Sequence, residues 1–209
     1  MKLNYGSKIA IALFGILLIG IGVAFNAASA LGNDSVGMLY DGVRAFMNLS
    51  GEQLGQASNI INFSLIVLLF FIGRRYVNIG TLIYILPYGL FVTVGSNLYL
   101  MIVNQELLWA RVLAATCGCL VLYTGVAIFI AMDIGLDPFN GLVMTIADRL
   151  KWSYRRTKIL FDLALIIIGT LLGGTIGVIT LITAFVAGPY IQFVADIMKG
   201  RLYDGENNH

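Results

Sequence analysis

From Ile9 to Asn33, from Tyr76 to Gln105 and from Leu163 to Ala195 the chain carries no Asp, Glu, Lys or Arg. Stretches this long and this apolar leave few ways to fold. A helix crosses the hydrocarbon core of a bilayer in about 20 residues, and each run reaches that length. A soluble domain carries about 25% charged residues, whereas this chain carries 11%, with 59% hydrophobic residues and a mean hydropathy of +0.89. It lacks the polar surface needed to face water, so its principal solvent is the lipid bilayer. A transmembrane β-barrel needs segments that alternate apolar and polar. Runs such as "FSLIVLLFFIG" (63–73) do not alternate. The expected fold class is an all-α polytopic membrane protein.

Six spans are expected, at about 8–31, 57–73, 79–103, 107–132, 153–172 and 175–198. Two polar connections, "GNDSVGMLYDGVRAFMNLSGEQLGQ" after the first span and "DIGLDPFNGLVMTIADRLK" after the fourth, each contain a short helical stretch. Lysines and arginines favour the cytoplasmic side of a membrane. With the N-terminus inside, Lys2, Lys8, Arg74, Arg75, Arg149, Lys151, Arg155, Arg156, Lys158, Lys199 and Arg201 fall inside, and only Arg44 and Arg111 outside. Both termini are therefore expected in the cytoplasm.

Ala28-Ser29-Ala30, after a basic start and an apolar run, has the spacing of a signal-peptide cleavage site. An internal repeat argues against cleavage. Shifted by 103 residues, "GVAFNAASALGND" (22–34) lies over "GVAIFIAMDIGLD" (125–137), with Gly22, Val23, Ala24, Ala28, Gly32 and Asp34 meeting identical residues. Four residues out of that register, Thr81, Leu82, Ile83 and Gly89 meet Thr180, Leu181, Ile182 and Gly188. The second copy lies too deep in the chain for a signal peptidase, so both copies read as structure. Each unit holds three spans, an odd number, so the second enters from the opposite side of the membrane. The expectation is two inverted three-helix repeats, 1–105 and 106–200, with short interrupted or half-helices after spans one and four and a cytoplasmic tail at 201–209. Transporters are often built this way, and they bind solute near the midplane beside the interrupted segments.

Those segments hold the first candidate residues. Gly32 and Gly135 permit a helix to end, and Pro138 takes the residue before it out of the α region. Backbone groups freed in this way survive in a membrane only against protein or a water-filled cavity. Asp34 and Asp137 either cap the following short helix or meet a substrate or ion. Asn140, at the same turn as Asp137, joins them. Asp162 sits about two turns into the fifth span, where an ionisable group is costly and marks function by default. Proton coupling is one reading, and pairing with Arg155 or Lys158 is the other. Asn26 and Asn62 come from neighbouring spans and either bond between helices, as membrane amides often do, or line a polar path. Asn97 and Ser96 in the third span read as interhelical polar contacts.

Other features read as structure. Cys117 and Cys119 lie two apart on a helix and face different sides, so they read as packing rather than as a disulfide. "GGTIG" (173–177) reads as a tight extracellular turn, with glycine supplying positive φ. Trp109, Trp152 and Tyr154 read as interfacial anchors. "NDS" and "NLS" match the glycosylation pattern. The only histidine is His209 and no Walker A pattern is present. No catalytic residue, metal site, cofactor or nucleic-acid interface is therefore expected, and the chain is not read as an enzyme.

At "GLDPFN…YRRTKILFD…GTLLGGTIGVIT…AGP" the sequence resembles the YitT/YczE family of bacterial inner-membrane proteins, most clearly over residues 120–198. Gly135, Pro138, Arg155 or Arg156, Asp162, Gly173, Gly174, Gly177, Gly188 and Pro189 match the family pattern. Asn140 departs from it where an acid is expected, and Ile179 where a glycine is expected. The resemblance implies a multi-pass protein of the bacterial inner membrane and leaves the substrate open.

The leading functional expectation is a secondary transporter or permease for an unidentified small molecule, bound between the two repeats, with protons as a coupling ion. A substrate-binding membrane subunit of an ATPase-driven importer and a non-transporting accessory protein are the alternatives. They differ in their dependence on a partner subunit or a homo-oligomer, which one chain leaves open.

Overall fold

The computed structural model describes residues 4–203, with side chains through Gly200. Lys2, His209 and the side chains of the 201–209 tail lie outside the described residues. Every regular element among those described is helical. The order is α1 (Tyr5–Ser29), α2 (Ser35–Phe46), α3 (Leu54–Ile72), α4 (Ile79–Ile102), α5 (Leu108–Met132), α6 (Pro138–Leu150), α7 (Tyr154–Leu171) and α8 (Val178–Tyr203), with 3-10 turns at Gly51–Gln53 and Arg74–Tyr76. Five stretches are long and apolar enough to cross a membrane: Tyr5–Ser29, Gly51–Ile72, Ile79–Ile102, Leu108–Met132 and Val178–Gly200. The expected fifth span forms as α7, but Arg155, Arg156, Lys158 and Asp162 fill its first half, and it is not among the five.

Helices α1 and α5 form the centre and run antiparallel. Their contact is made by glycines. A Cβ on Gly15 would lie 2.9 Å from the Gly125 carbonyl oxygen, and one on Gly22 would lie 2.5 Å from that of Gly118. Small residues let backbones approach where lipid supplies no hydrophobic drive between helices. Helix α4 packs parallel to α1, with Gly20 against Phe91 and Val92 and Gly95 against Ile21 and Ala24. Helix α8 takes the corresponding place beside α5, where Thr124 Oγ1 and Tyr190 Oη are 3.1 Å apart. Helix α3 leans on α4, and α2 on α7 at Gly42 and Gly169. The outer surface is apolar: Phe71, Leu86, Met101, Leu171 and Phe185 are each at least three-quarters exposed. These are side chains for lipid to cover.

Three backbone features recur at an interval of 103 residues. Ala30 (φ 53°) and Asp133 (φ 50°) end α1 and α5 in the left-handed region, Gly32 (φ 105°) and Gly135 (φ 147°) follow, and Asn48 (φ 55°) and Lys151 (φ 54°) lie just after α2 and α6. The glycines therefore act two residues beyond the left-handed cap residues, and L-residues make the left-handed turn itself. In "GGTIG" only Gly173 (φ 97°) has positive φ. Gly174 and Gly177 serve close approach instead, with a Cβ on Gly174 falling 2.9 Å from the carbonyl oxygens of Gly169 and Met38.

The cysteines are free. Cys117 is exposed, and Cys119 Sγ lies 3.6 Å from Asn26 Oδ1. Of the two glycosylation matches, Asn33 is 1% exposed, which closes that site to modification in this fold.

Candidate functional site

The two helix breaks are built alike. Asp34 Oδ1 accepts from Gly37 N (3.3 Å) and Asp137 Oδ1 from Asn140 N (3.0 Å), so both carboxylates cap the short helix that follows. Asp137 is extended (ψ 161°), as a residue before proline must be. Each break is held by the helix that ends the other half of the chain. Leu31 O accepts from Ile179 N (3.0 Å), and Asn33 N donates to Thr180 Oγ1 (3.2 Å). In the opposite sense, Thr81 Oγ1 donates to Leu136 O (2.7 Å). Thr81 and Thr180 are the threonines that match in the sequence repeat, and both are buried. Freed backbone groups thus find protein partners, as a membrane interior demands. Arg111 Nε satisfies one more, donating to Ser29 O (2.8 Å) at the end of α1.

Beside the α5–α6 break lies a cavity of about 320 Å³, walled by Phe129, Gly135, Leu136, Asp137, Asn140 and Tyr154 among others. Its polar edge is one connected chain. Tyr154 Oη donates to Asn140 Oδ1 (2.8 Å), and Asn140 Nδ2 donates to Asp137 Oδ2 (2.6 Å). Tyr154, read as an interfacial anchor, therefore belongs to this wall. Asn140, where the resemblance leads one to expect an acid, supplies a donor that a carboxylate lacks and so pairs with Asp137 without repulsion.

The breaks flank a buried aromatic core. Tyr84 and Tyr88 stack at 5.0 Å, Tyr40 lies 5.7 Å from Tyr88 and 5.8 Å from Phe139, and Tyr84 lies 5.3 Å from Phe129. These rings come from α2, α4, α5 and α6, so both halves contribute. Asn62 is fully buried there and accepts from Tyr40 Oη (3.1 Å). Its Nδ2 has no hydrogen-bond partner.

On α7, Asp162 Oδ1 accepts from Lys158 Nζ (2.6 Å) and from Ser35 Oγ (2.8 Å). Of the two basic partners that the sequence offers, Lys158 is the one in contact. The Ser35 bond brings Asp162 to the start of α2, next to Asp34. Asn26 is buried in α1, where its Oδ1 meets Cys119 and its Nδ2 is unpartnered. It bonds to none of the other candidates. Asp137 and Asn140 are thus joined directly, Asp34 and Asp162 lie together around Ser35, and Asn62 sits in the tyrosine core. Sequence reasoning misses Tyr40, Tyr84 and Tyr88. Two tyrosines four apart on one face of an apolar span are the available signal, since such rings need partners for their hydroxyls when buried.

A family model described as "Family of unknown function (DUF6198)" matches residues 6–196. An "Uncharacterized protein" of Haemophilus influenzae is 25% identical over 190 residues, 91% of this chain and 84% of that protein. The "Uncharacterized membrane protein YczE" of Bacillus subtilis is 22% identical over 143 residues, 68% of this chain and 65% of that protein. No solved structure matches.

Proposed function

The chain belongs to the DUF6198 family of YczE-like membrane proteins, and within it we propose a small-molecule secondary transporter or permease built from two inverted repeats of three spans. Helix α7 crosses as the fifth of the six spans, both termini are cytoplasmic, and the membrane is the bacterial inner membrane. The observation that carries this reading is the recurrence of the helix break. Left-handed residue, positive-φ glycine and capping aspartate return 103 residues apart at 30, 32 and 34 and at 133, 135 and 137. The glycine contacts of α1 with α5 support it. Shifting Gly15 and Gly22 by the same interval yields Gly118 and Gly125, so the Gly15–Gly125 and Gly22–Gly118 contacts exchange. That is the behaviour of a two-fold axis between antiparallel helices. Near-equivalent halves can trade conformations, opening a central site first to one side and then to the other.

In this reading solute binds between the halves, beside the Asp137–Asn140–Tyr154 cavity and the Asp34–Ser35–Asp162 cluster. The tyrosine core lies between them. Asp162 is the coupling group in this reading, because its one carboxylate holds both the ion pair with Lys158 and the bond from Ser35 on α2. The functional test is the melting temperature of the purified protein against a panel of metabolites at about pH 5.5 and 7.5. A ligand at 100 times its Kd adds about 2.7 kcal/mol. A stabilising ligand whose effect varies with pH, and ceases to vary in Asp162→Asn, is the expected result. The absence of any such ligand, with a second protein copurifying, would favour the partner-dependent subunit.

The topology has its own test. Met47 and Leu150 are exposed and 103 residues apart, at the ends of α2 and α6. With Cys117 and Cys119 replaced by alanine, Met47→Cys is expected to react with an impermeant maleimide from outside intact cells. Leu150→Cys is expected to react only after lysis. Labelling of both from one side would sink the inverted arrangement.

A further inference from the structure

We propose that the turn joining α3 to α4 carries a binding site for the phosphate of an anionic phospholipid headgroup. This needs only that α3 and α4 lie in a membrane, and it does not rest on the transport reading. The turn and the second half of α6 border an open cavity of about 310 Å³ whose walls include Arg74, Arg75, Tyr76, Thr145, Asp148 and Arg149. Pockets for small ligands run roughly 300–1,000 Å³, so this one holds a headgroup and leaves the acyl chains outside. The charge is unbalanced, with three guanidiniums against one carboxylate. Asp148 is engaged by Arg75 and by Tyr76 Oη. Arg149 Nη2 is anchored on Ile72 O at 2.7 Å, which fixes its guanidinium at the cavity wall. Arg74 has its guanidinium 4.9 Å from the centre of the Phe70 ring. Guanidinium groups offer paired N–H donors that match phosphate oxygens.

Position argues for a lipid. The turn connects two apolar helices, Gly51–Ile72 and Ile79–Ile102, each long enough to cross the bilayer, so it lies at the membrane boundary. Phe70, Phe71 and Leu150 are 50%, 78% and 49% exposed beside the cavity and present an apolar surface to acyl chains. The site is also preformed. Gly73 packs so closely on Thr145 that a Cβ there would overlap the threonine side chain. Basic pockets between membrane helices take anionic headgroups, and a Lys or Arg near an anionic membrane surface adds about fivefold to the affinity.

The test compares phosphatidylglycerol, phosphatidylcholine and inorganic phosphate, added to the full-length protein in a neutral detergent. Binding is read by native mass spectrometry and by melting temperature. Phosphatidylglycerol is expected to bind at least about fivefold tighter than phosphatidylcholine, and Arg74→Gln with Arg75→Gln to erase that preference. Asp148→Asn, which removes the competing carboxylate, is expected to strengthen it. Equal binding of the two lipids overturns the proposal, as does a preference that survives both arginine changes. An equal effect of inorganic phosphate overturns the lipid assignment in favour of a soluble anion. Should the arginine variants fail to fold, Asp148→Asn decides alone, and unchanged or weaker phosphatidylglycerol binding refutes the site.

Discussion

Gly22→Leu is expected to leave almost no folded protein. A Cβ at residue 22 falls 2.5 Å from the Gly118 carbonyl oxygen and 2.6 Å from the Leu122 amide nitrogen. Both obstacles are backbone atoms of α5, which cannot rotate away as a side chain would. The remaining leucine atoms could fit only if α1 and α5 moved apart. Separation there would also open the Gly15–Gly125 contact, where a Cβ on Gly125 lies 2.5 Å from the Gly15 oxygen. Overpacking a core costs about 1–3 kcal/mol and sometimes more. Here the clash lies on the central helix pair, so about 3 kcal/mol or more is expected. The informative control is Gly188→Ala. A Cβ at Gly188 meets nothing within 4 Å, and alanine is the better helix former by up to about 1 kcal/mol. Melting temperature and a monodisperse elution profile in detergent separate the two outcomes. A Gly22→Leu protein that melts like the wild type would show that α1 and α5 do not cross at these glycines.

The same chemistry makes the centre of the molecule legible in its sequence. Lipid offers no distinction between one apolar side chain and another, so helix contacts in a membrane are written in small residues. Gly22 and Gly125 stand in the sequence repeat for that reason, and the six helices form within a few residues of their expected limits. The capping roles of Asp34 and Asp137 are also legible, as one of the two readings that an aspartate ahead of a short helix offers. Pairing across the fold is not. Nothing in "KILFD" says that Asp162 meets Ser35, 127 residues away. The spacing in "LIYILPYG" puts Tyr84 and Tyr88 on one face, but nothing there says that Tyr40 joins them. Such contacts depend on which helix faces enclose the core. Helices as uniformly apolar as α4 and α5 conceal those faces, since no polar stripe marks the outside.

The α2–α7 contact is the sharpest case of a pairing hidden in the sequence, and Asp41→Leu is expected to destabilise the protein by about 3 kcal/mol. Asp41 is 2% exposed on a helix whose polar character suggests a solvent-facing connection. Its Oδ1 accepts from Arg44 at 2.8 and 2.9 Å, and its Oδ2 accepts from Thr175 N at 2.8 Å, in the turn between α7 and α8. Arg44 continues the chain of bonds to Leu49 O at 2.9 Å, beyond the end of α2. One carboxylate thus ties α2 to the glycine turn that positions α8. Leucine at 41 leaves the Arg44 charge without its counter-ion and the Thr175 amide without its acceptor. An unpaired charge in such a place is the larger loss, and an unmade backbone bond adds about 1 kcal/mol. A double-mutant cycle separates the two. Asp41→Leu with Arg44→Met removes the orphaned charge and is expected to recover most of the lost stability, short of the Thr175 term. Asp41→Asn keeps an acceptor for Thr175 and is expected to fall between the wild type and Asp41→Leu. If the double variant melts no higher than Asp41→Leu, the ion pair contributes nothing beyond the Thr175 bond. The role of Asp41 would then be to hold the turn, with Arg44 serving Leu49 alone.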